Sequence, residues 1–269
     1  MEKTFKLLSI IFAFLIQSCN SPASDNGVHV QIKTSLGDII IKLYDETPIH
    51  RDNFINLVNT GFYKGVSFHR VIKDFMIQAG NPATKPNSNT LPDSLSTYTI
   101  PAEFNPALFH KKGAVAAARQ GNEINPYMRS TGSQFYIVQG TKYDEQELDA
   151  VELRINSQIR QAQFRIIFTE TADSIRTAGL SLTDYEIQNI ASYKIFEYLT
   201  STSEYKLTPE QRNAYMSIGG TPFLDGTYTV FGEVTKGLNI VDRIAAQTTD
   251  ATDKPVKDIV ILKMKVVKK

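Results

Sequence analysis

The segment FHRVIKDFMIQAGN, residues 68 to 81, is as apolar as a buried strand but contains polar residues that could do chemistry. Arg70 supplies a guanidinium and Gln78 a carboxamide, and the apolar pair Phe75 and Met76 lies between them. A buried polar group costs free energy unless it is hydrogen-bonded, so a strand that only filled a core would gain nothing from either residue. Arg70 and Gln78 are therefore the first candidates for a functional site.

Other kinds of site have no support in the sequence. The four histidines form no i, i+4 pair and have no cysteine partner, so we expect no metal site. The chain has no Gly-x-Ser-x-Gly turn, P-loop or dinucleotide motif, which argues against hydrolase and nucleotide chemistry and against a cofactor. The formal net charge of +1 gives no general attraction to a polyanion, so we expect no binding of nucleic acid.

Four segments in a fixed order resemble the cyclophilin family: FHRVI at 68 to 72, GAVAAAR at 113 to 119, GSQFYI at 132 to 137 and FLDGTYTVFG at 223 to 232. One such motif would be weak evidence, whereas the ordered set is specific. The resemblance covers about residues 28 to 140 and 218 to 268. It implies a mainly β fold, a closed eight-stranded antiparallel barrel capped by two helices, and peptidyl-prolyl cis-trans isomerase activity.

The resemblance also implies a role for each residue that falls on a family motif. Arg70 corresponds to the catalytic arginine, and Gln78 and Gln134 correspond to glutamines that hold the substrate backbone. The strand edge that pairs with the bound peptide corresponds to Ala118, Arg119 and Gln120. The remaining substrate-binding residues are those of the proline pocket wall: Phe75, Met76, Tyr136, Phe223, Leu224 and Tyr228. The resemblance implies neither a cofactor nor a metal.

Three pocket positions depart from the family pattern. Phe223 stands where tryptophan is common, Tyr228 where a pocket histidine is common, and Tyr136 where a phenylalanine is usual. Phe223 lacks an indole donor, which predicts weaker binding of cyclosporin-type inhibitors. The two tyrosines are expected to make the pocket rim more polar.

Patterns of alternation predict the elements that must position these residues. Residues 28 to 43 alternate around a turn near 35 to 37, which indicates a hairpin with one buried face. Thr47 and Pro48 have the form of an N-cap and a first helical proline, followed by about three helical turns. Many short strands and few helices favour a barrel or a sandwich. The further strands are predicted at 66 to 72, 113 to 118, 134 to 138, 229 to 234 and 259 to 267.

Between residues 142 and 217 the apolar spacing becomes helical, which predicts an insertion in the β-rich domain. Capping boxes are expected at Thr183 and Thr208. Two roles for the insertion stay open: a solvated embellishment on the barrel, or a surface that docks a client chain, a partner or a second copy. The apolar face of its second helix is expected to contain Ile187, Ile190 or Ala191, Ile195, Tyr198 and Leu199.

The N-terminus has the pattern of a secretory signal. Two lysines precede an apolar run from 7 to 16 that is too short to span a membrane, so we expect residues 1 to 18 to be removed. The single cysteine, Cys19, follows Ile-Gln-Ser in a stretch that resembles the lipobox of bacterial lipoproteins, which implies lipidation. Residues 19 to 27 would then form a lipid-anchored tether. The alternative is a plain secreted protein with a free thiol.

The sequence therefore predicts a cyclophilin-like isomerase domain of residues 28 to 141 and 218 to 269, interrupted by a helical insertion of residues 142 to 217. The expected function is isomerisation of X-Pro bonds in envelope proteins during folding, with proline-containing polypeptides as partners. The expected location is the cell envelope, anchored in a bacterial membrane and facing the periplasm, or in the outer membrane. The alternative function is a holding chaperone or scaffold that uses the insertion and the peptide groove without catalysis.

Overall fold

The computed structural model describes residues 27 to 86 and 98 to 267. Within these ranges the strands are β1 (His29–Thr34), β2 (Gly37–Leu43), β3 (Arg70–Ile72), β4 (Met76–Ala79), β5 (Thr99–Ile100), β6 (Ala114–Ala117), β7 (Ser130–Thr131), β8 (Phe135–Val138), β9 (Val230–Lys236) and β10 (Ile261–Val267). Eight of them form one sheet in the order β10-β1-β2-β9-β6-β8-β4-β3, and β5 pairs with β7. Every strand pair is antiparallel. The chain therefore has the mainly β fold that the sequence predicts.

The β1–β2 hairpin supplies much of the main core. Its inward residues are fully buried: Val30, Ile32, Ile39, Ile41 and Leu43. Val30 lies opposite Ile41, and Ile32 lies opposite Ile39. Burying a side chain of this size contributes about 1.5–3 kcal/mol. The predicted hairpin with one buried face is confirmed.

The sheet curls so that its two edges meet outside the regular strands. The Phe68 N–H donates to the Ile259 carbonyl at 2.9 Å, and the Ile261 N–H donates to the Val66 carbonyl at 2.8 Å. The Gly65 N–H donates to the Ile261 carbonyl at 2.9 Å. Strands β3 and β10 themselves are not paired. Complete closure of the barrel by strand pairing therefore stays a prediction, although backbone hydrogen bonds join the edges.

Two helices cover the core. Helix α1 (Pro48–Asn59) buries Phe54, Leu57 and Val58. The last helix (Leu238–Ala245) buries Ile240, Val241, Ile244 and Ala245, and all of these side chains belong to the same hydrophobic cluster as the hairpin. This arrangement agrees with a sheet capped by two helices.

The start of α1 is capped differently from the sequence prediction. Thr47 precedes Pro48 as expected, but its side chain makes no capping hydrogen bond. The carboxylate of Glu103 instead accepts from the N–H groups of Ile49 and His50 at 3.0 and 2.9 Å, and it also contacts His50 Nδ1 at 2.6 Å. A charged acceptor from another part of the chain thus satisfies the free helical N–H groups.

Residues 145 to 217 form three helices: α2 (Glu145–Thr177), α3 (Asp184–Ser201) and α4 (Pro209–Ser217). The capping boxes predicted at Thr183 and Thr208 are both present, and a third begins at Asp144. The predicted apolar face of α3 is only partly buried, because Ile187 and Ala191 are inside whereas Ile190 and Leu199 are exposed. The main packing partner of α3 is α2, and of the predicted face only Ile187 and Ala191 are fully buried.

The two ends of this helical block lie side by side. The Thr141 N–H donates to the Gly220 carbonyl at 3.2 Å, and the Gly220 N–H donates to the Thr141 carbonyl at 2.8 Å. A Cβ atom on Gly220 would lie 2.3 Å from the His110 carbonyl oxygen, so only glycine fits this junction. The block therefore leaves and rejoins the β domain at one point.

The predictions for residues 1 to 26, including the signal peptide, lipidation at Cys19 and most of the tether, lie outside the described residues. In the part of the chain that the structure does describe, no helix has both the length and the apolar character needed to cross a membrane. The division into domains at 141 and 218 stays a prediction.

Replacing Glu103 by alanine is expected to lower the free energy of unfolding by about 1–3 kcal/mol, because the helix loses its cap and buried His50 loses a partner. Urea denaturation of the purified chain measures this loss. Asp45 is the matched control, since its carboxylate is largely exposed and its ion pair within the described ranges is with Arg51. Asp45→Ala should change the free energy by no more than about 0.5 kcal/mol. Equal losses in the two variants would contradict the assigned cap.

Candidate functional site

The register of neighbouring strands explains the polar residues of segment 68 to 81. Arg70 on β3 lies opposite Gln78 on β4, and Gln78 lies opposite Tyr136 on β8. Residues directly opposite in a sheet present their side chains on the same face. The polar residues of this segment are therefore part of one row of side chains, Arg70, Gln78 and Tyr136, that crosses three strands.

This row opens into a cavity of about 90 Å³. Nine of the predicted site residues line it together: Arg70, Phe75, Met76, Gln78, Ala118, Arg119, Tyr136, Leu224 and Tyr228. The buried Met76 and Tyr136 and the partly buried Phe75, Leu224 and Tyr228 belong to one hydrophobic cluster. The cavity thus has an apolar wall with a guanidinium and a carboxamide at its side. Their individual roles remain predictions.

The other three predicted residues lie beside the cavity. Gln134 accepts a hydrogen bond from Gln78, with Nε2 to Oε1 at 3.0 Å, so it fixes the orientation of that carboxamide. Phe223 stacks on Phe75 with ring centroids 5.6 Å apart. Gln120 is exposed, and its carbonyl accepts from the Arg119 guanidinium at 3.0 Å.

The Arg70 guanidinium is accessible. Its side chain is 44% exposed, and its Nε lies 3.4 Å from Oδ2 of Asp253, which is itself 42% exposed. An ion pair this exposed contributes about 0–1 kcal/mol. The weak ion pair with Asp253 leaves the Arg70 guanidinium free to hydrogen-bond to a bound molecule.

One of the three residues on the strand edge predicted to pair with substrate already has both backbone groups hydrogen-bonded. The Ala118 N–H donates to the Gln134 carbonyl at 3.0 Å, and the Ala118 carbonyl accepts from the Thr131 N–H at 2.8 Å. Both backbone groups of Ala118 are thus engaged within the sheet. Among the described residues, neither the Arg119 backbone nor the Gln120 N–H has such a partner, so a peptide that pairs with this edge would do so at these two residues.

A buried polar network lies behind the cavity wall. Asp225 is 3% exposed, and its Oδ1 accepts from the N–H of His110 at 2.9 Å and contacts His110 Nδ1 at 2.7 Å. The other ring nitrogen, Nε2, lies 2.9 Å from the Tyr136 hydroxyl, so the His110 ring links the carboxylate to that tyrosine. The network therefore fixes one of the aromatic walls of the cavity.

This geometry corrects the expected effect of Tyr136 on pocket polarity. Its hydroxyl faces His110 inside the protein, and the residue is 4% exposed. Burial raises the pKa of Tyr136 well above its usual value, with the neighbouring Tyr228 and Asp225 adding to the rise. Tyr136 thus stays neutral and contributes a ring, not a polar rim, to the cavity.

The helical block reaches the same carboxylate. Tyr215 of α4 donates to Asp225 Oδ2 at 2.6 Å, and Tyr205, which precedes α4, contacts the same oxygen at 3.4 Å. Burial, together with the charge of Asp225, raises the pKa of both tyrosines. Asp225 therefore receives hydrogen bonds from the β domain on one oxygen and from the block on the other.

Sequence reasoning missed the network because its members are far apart in the chain. His110 and Asp225 are separated by 115 positions, and His110 was considered only as a metal ligand. The available signal was Asp225 itself, a charged residue inside the apolar Phe-Leu-Asp-Gly motif. A charge in such a place requires a buried partner.

Comparisons with known proteins agree with these motifs. A family model described as "Cyclophilin type peptidyl-prolyl cis-trans isomerase/CLD" matches residues 29–175 and 194–266. A Staphylococcus epidermidis protein named "Putative peptidyl-prolyl cis-trans isomerase" is 30% identical over 243 residues, which span 90% of this chain and 93% of the relative. A Staphylococcus aureus protein of the same name is 28% identical, with the same coverage.

Among solved structures, a Cryptosporidium parvum cyclophilin type peptidyl-prolyl cis-trans isomerase matches with a TM-score of 0.54 at 19% identity. The match covers 90% of this chain and 99% of the other. A second structure of that protein, determined in the presence of the dipeptide Ala-Pro, has a TM-score of 0.53. At this identity the structural likeness concerns the fold.

Removing the Tyr215 hydroxyl is expected to lower the free energy of unfolding by about 1.5–3 kcal/mol, the usual value for a hydrogen bond to a charged group. Tyr215→Phe keeps the ring and removes only the donor. Tyr205→Phe is the matched control, because its contact with the same oxygen is longer and should contribute less. Chemical denaturation of both variants measures the difference, and a larger loss for Tyr205→Phe would contradict the assigned network.

Proposed function

The chain belongs to the family of cyclophilin-type peptidyl-prolyl cis-trans isomerases, and we propose that Arg70 is its catalytic residue. The function of the chain is the isomerisation of X-Pro peptide bonds. The observation that carries the proposed site is the convergence of Arg70, Gln78 and an apolar wall on one cavity. In this proposal the cavity holds the proline ring.

The chemistry requires no nucleophile. Rotation about an X-Pro bond breaks amide resonance, so the barrier is about 18–20 kcal/mol and spontaneous exchange takes tens to hundreds of seconds. In the twisted transition state the prolyl nitrogen regains a localised lone pair. A guanidinium can donate a hydrogen bond to that lone pair, which is delocalised in the planar ground state. Arg70 would thus bind the transition state more strongly than the substrate.

Rotation also requires that one side of the bond stay fixed. The cavity wall formed by Phe75, Met76 and Tyr136 would hold the proline ring. Gln78, oriented by Gln134, and the open backbone of Arg119 would hold the adjoining peptide backbone. The other side of the bond could then rotate. Each 1.36 kcal/mol of preference for the transition state gives a tenfold increase in rate.

We further propose that the isomerase acts in the cell envelope on proteins that fold there, anchored in a bacterial membrane by lipid on Cys19. The support comes from the sequence: an apolar run of signal-peptide length ends at a lipobox-like Ile-Gln-Ser-Cys. Each buried methylene of an acyl chain contributes about 0.8 kcal/mol, and stable anchoring needs more than one chain. The competing proposal is secretion as a soluble protein.

A holding chaperone is the second candidate function. The observation in its favour is the exposed aromatic surface of α3, where Tyr185, Tyr193 and Phe196 are each more than 60% exposed. Apolar side chains clustered on one helix can bind unfolded chains, a partner or a second copy of the protein. In this proposal the helical block holds a client while the cavity acts on its prolines.

Arg70→Ala is expected to reduce kcat/KM for a short X-Pro peptide about 10²–10³-fold, the usual loss when a donor to the transition state is removed. NMR exchange measures the rate directly. Lys73→Ala is the matched control, since Lys73 is an exposed cation three residues away that does not line the cavity. Unchanged catalysis by Arg70→Ala would disprove the assigned role.

The same Arg70→Ala protein separates the two functions. A holding activity that resides on the helical block should leave suppression of client aggregation unchanged while isomerisation is lost. Light scattering of an unfolding client measures this suppression. Loss of protection along with catalysis would argue against an independent chaperone.

If Cys19 is lipidated, we expect the full chain, expressed in a bacterium, to partition into the membrane fraction. The Cys19→Ser protein is expected in the soluble fraction. Mass spectrometry of the mature N-terminus should show acyl chains on Cys19 and no residues before it. Ser18→Ala is the matched control, because it changes a neighbouring residue and keeps the thiol. A soluble wild-type protein with an unmodified Cys19 would favour secretion instead.

A further inference from the structure

Helix α2 presents one polar face beside the proline cavity. Arg154, Gln158, Gln161 and Arg165 are spaced by four, three and four residues, so they lie on the same side of the helix. All four carry side-chain N–H donors, and none is a carboxylate. This face belongs to the helical block, not to the four cyclophilin-like motifs.

The space beside this face adjoins the proposed proline cavity. A second cavity of about 390 Å³ is lined by all four residues of the α2 face, and it shares Arg119, Leu224 and Tyr228 with the proline cavity. A third cavity of about 760 Å³ shares Asn122, Glu123, Gln161 and Arg165 with the second. The three cavities therefore adjoin one another, and α2 lines two of them. We call them together the groove; its size suits a bound peptide segment.

The charges along the groove are mostly positive. Among the residues that line the second and third cavities, the cations are Arg119, Arg154, Arg160 and Arg165, and the only carboxylate is that of Glu123. Glu123 lies 3.2 Å from Arg165, and Arg160 pairs with Glu204 outside the lining. Arg119 and Arg154 have no carboxylate within ion-pair distance among the described residues.

These two unpaired guanidinium groups are held on aromatic rings. Arg119 lies over Tyr228 at 4.3 Å from the ring centroid, and its Nε donates to the Thr227 carbonyl at 2.8 Å. Its Nη1 donates to the Gln120 carbonyl at 3.0 Å and to Asn122 Oδ1 at 2.7 Å, so the N–H groups of Nη2 are the ones left for a ligand. Arg154 lies over Phe223 at 4.8 Å. Stacking restrains a guanidinium while leaving N–H groups at its edge for an anion. The rings belong to residues 223 to 228, the segment that also walls the proline cavity.

The α2 wall is fixed to the rest of the chain by buried contacts. The Asn156 carboxamide exchanges two hydrogen bonds with the Tyr205 backbone, at 2.8 and 3.0 Å. Tyr205 in turn contacts Asp225, and Gln211 of α4 donates to the Pro106 carbonyl at 3.0 Å. The arginines of α2 are therefore presented by an anchored helix and not by a loose arm.

We propose that helix α2 extends the substrate groove and that Arg119 and Arg154 recognise an acidic side chain of the substrate near its proline. This inference rests on the proposed function, since it assigns a substrate preference to the same site. The site would select proline-containing segments that carry aspartate or glutamate. Attraction to the carboxylate would add binding energy without altering the step that Arg70 performs.

The test uses X-Pro peptides that differ only in charge. A pair of glutamates, alanines or lysines is placed two to four residues before the proline in one series and after it in another. Isomerisation by the full folded chain is followed by NMR exchange at low and high salt. We expect kcat/KM in one series to be roughly fivefold higher for glutamate than for lysine, as one or two exposed ion pairs would give. High salt should reduce this ratio.

Arg154→Glu is expected to abolish or reverse the ratio, and Arg154→Gln to reduce it. The matched control is Arg176→Glu, which makes the same charge change on the same helix at a position that lines none of the three cavities. It should keep the wild-type ratio. Circular dichroism and urea denaturation confirm that each variant is folded.

Each outcome supports or overturns a specific statement. Equal rates for the three charges in both series would overturn the acidic preference while leaving the isomerase intact. A preference that survives in Arg154→Glu would overturn the role of α2. No acceleration of any peptide by the folded wild-type chain would instead be a failure of the proposed site and function.

Discussion

The buried carboxylate of Asp225 is the interaction on which the rest of the structure depends. An ionised group inside a protein is tolerated only when hydrogen bonds replace its water, and removing one partner of such a group is strongly destabilising. Asp225 meets this demand with His110 on one oxygen and with Tyr215 and Tyr205 on the other. The β domain and the helical block each supply hydrogen-bond partners of this carboxylate, so both must be folded for all of its hydrogen bonds to form.

The same requirement shapes the proposed active site. A cavity that is to hold a proline ring needs an apolar wall, yet the strand row beside it also carries Arg70 and Gln78. The strand register keeps the apolar wall apart from the polar groups. It places Arg70 and Gln78 at the side of the cavity, and the Tyr136 hydroxyl faces inward to His110. The wall is therefore apolar toward the cavity and polar toward the interior, where its hydrogen bond is protected from water.

Features that depend on residues close together in the chain could be predicted from the sequence, whereas contacts between residues far apart in the chain could not. The β1–β2 hairpin and the capping boxes at Thr183 and Thr208 depend on residues a few positions apart, and all were predicted. Thr47 is the N-cap residue of α1 as predicted, but the hydrogen bonds to the free N–H groups come from Glu103, more than 50 positions away, which the sequence pattern does not reveal. The convergence of nine site residues was predictable only through the family motifs, since periodicity does not specify which strands become neighbours.

The paired backbone bonds between Thr141 and Gly220 mean that the chain departs from the β domain and returns to it at the same place. A genetic insertion or deletion between these two positions would leave the register of every strand unchanged, because the cost of closing a loop rises only slowly with its length. The block is in that sense a module that evolution could exchange as one piece. Asp225 limits this freedom, since any replacement module must bring its own donor to that carboxylate.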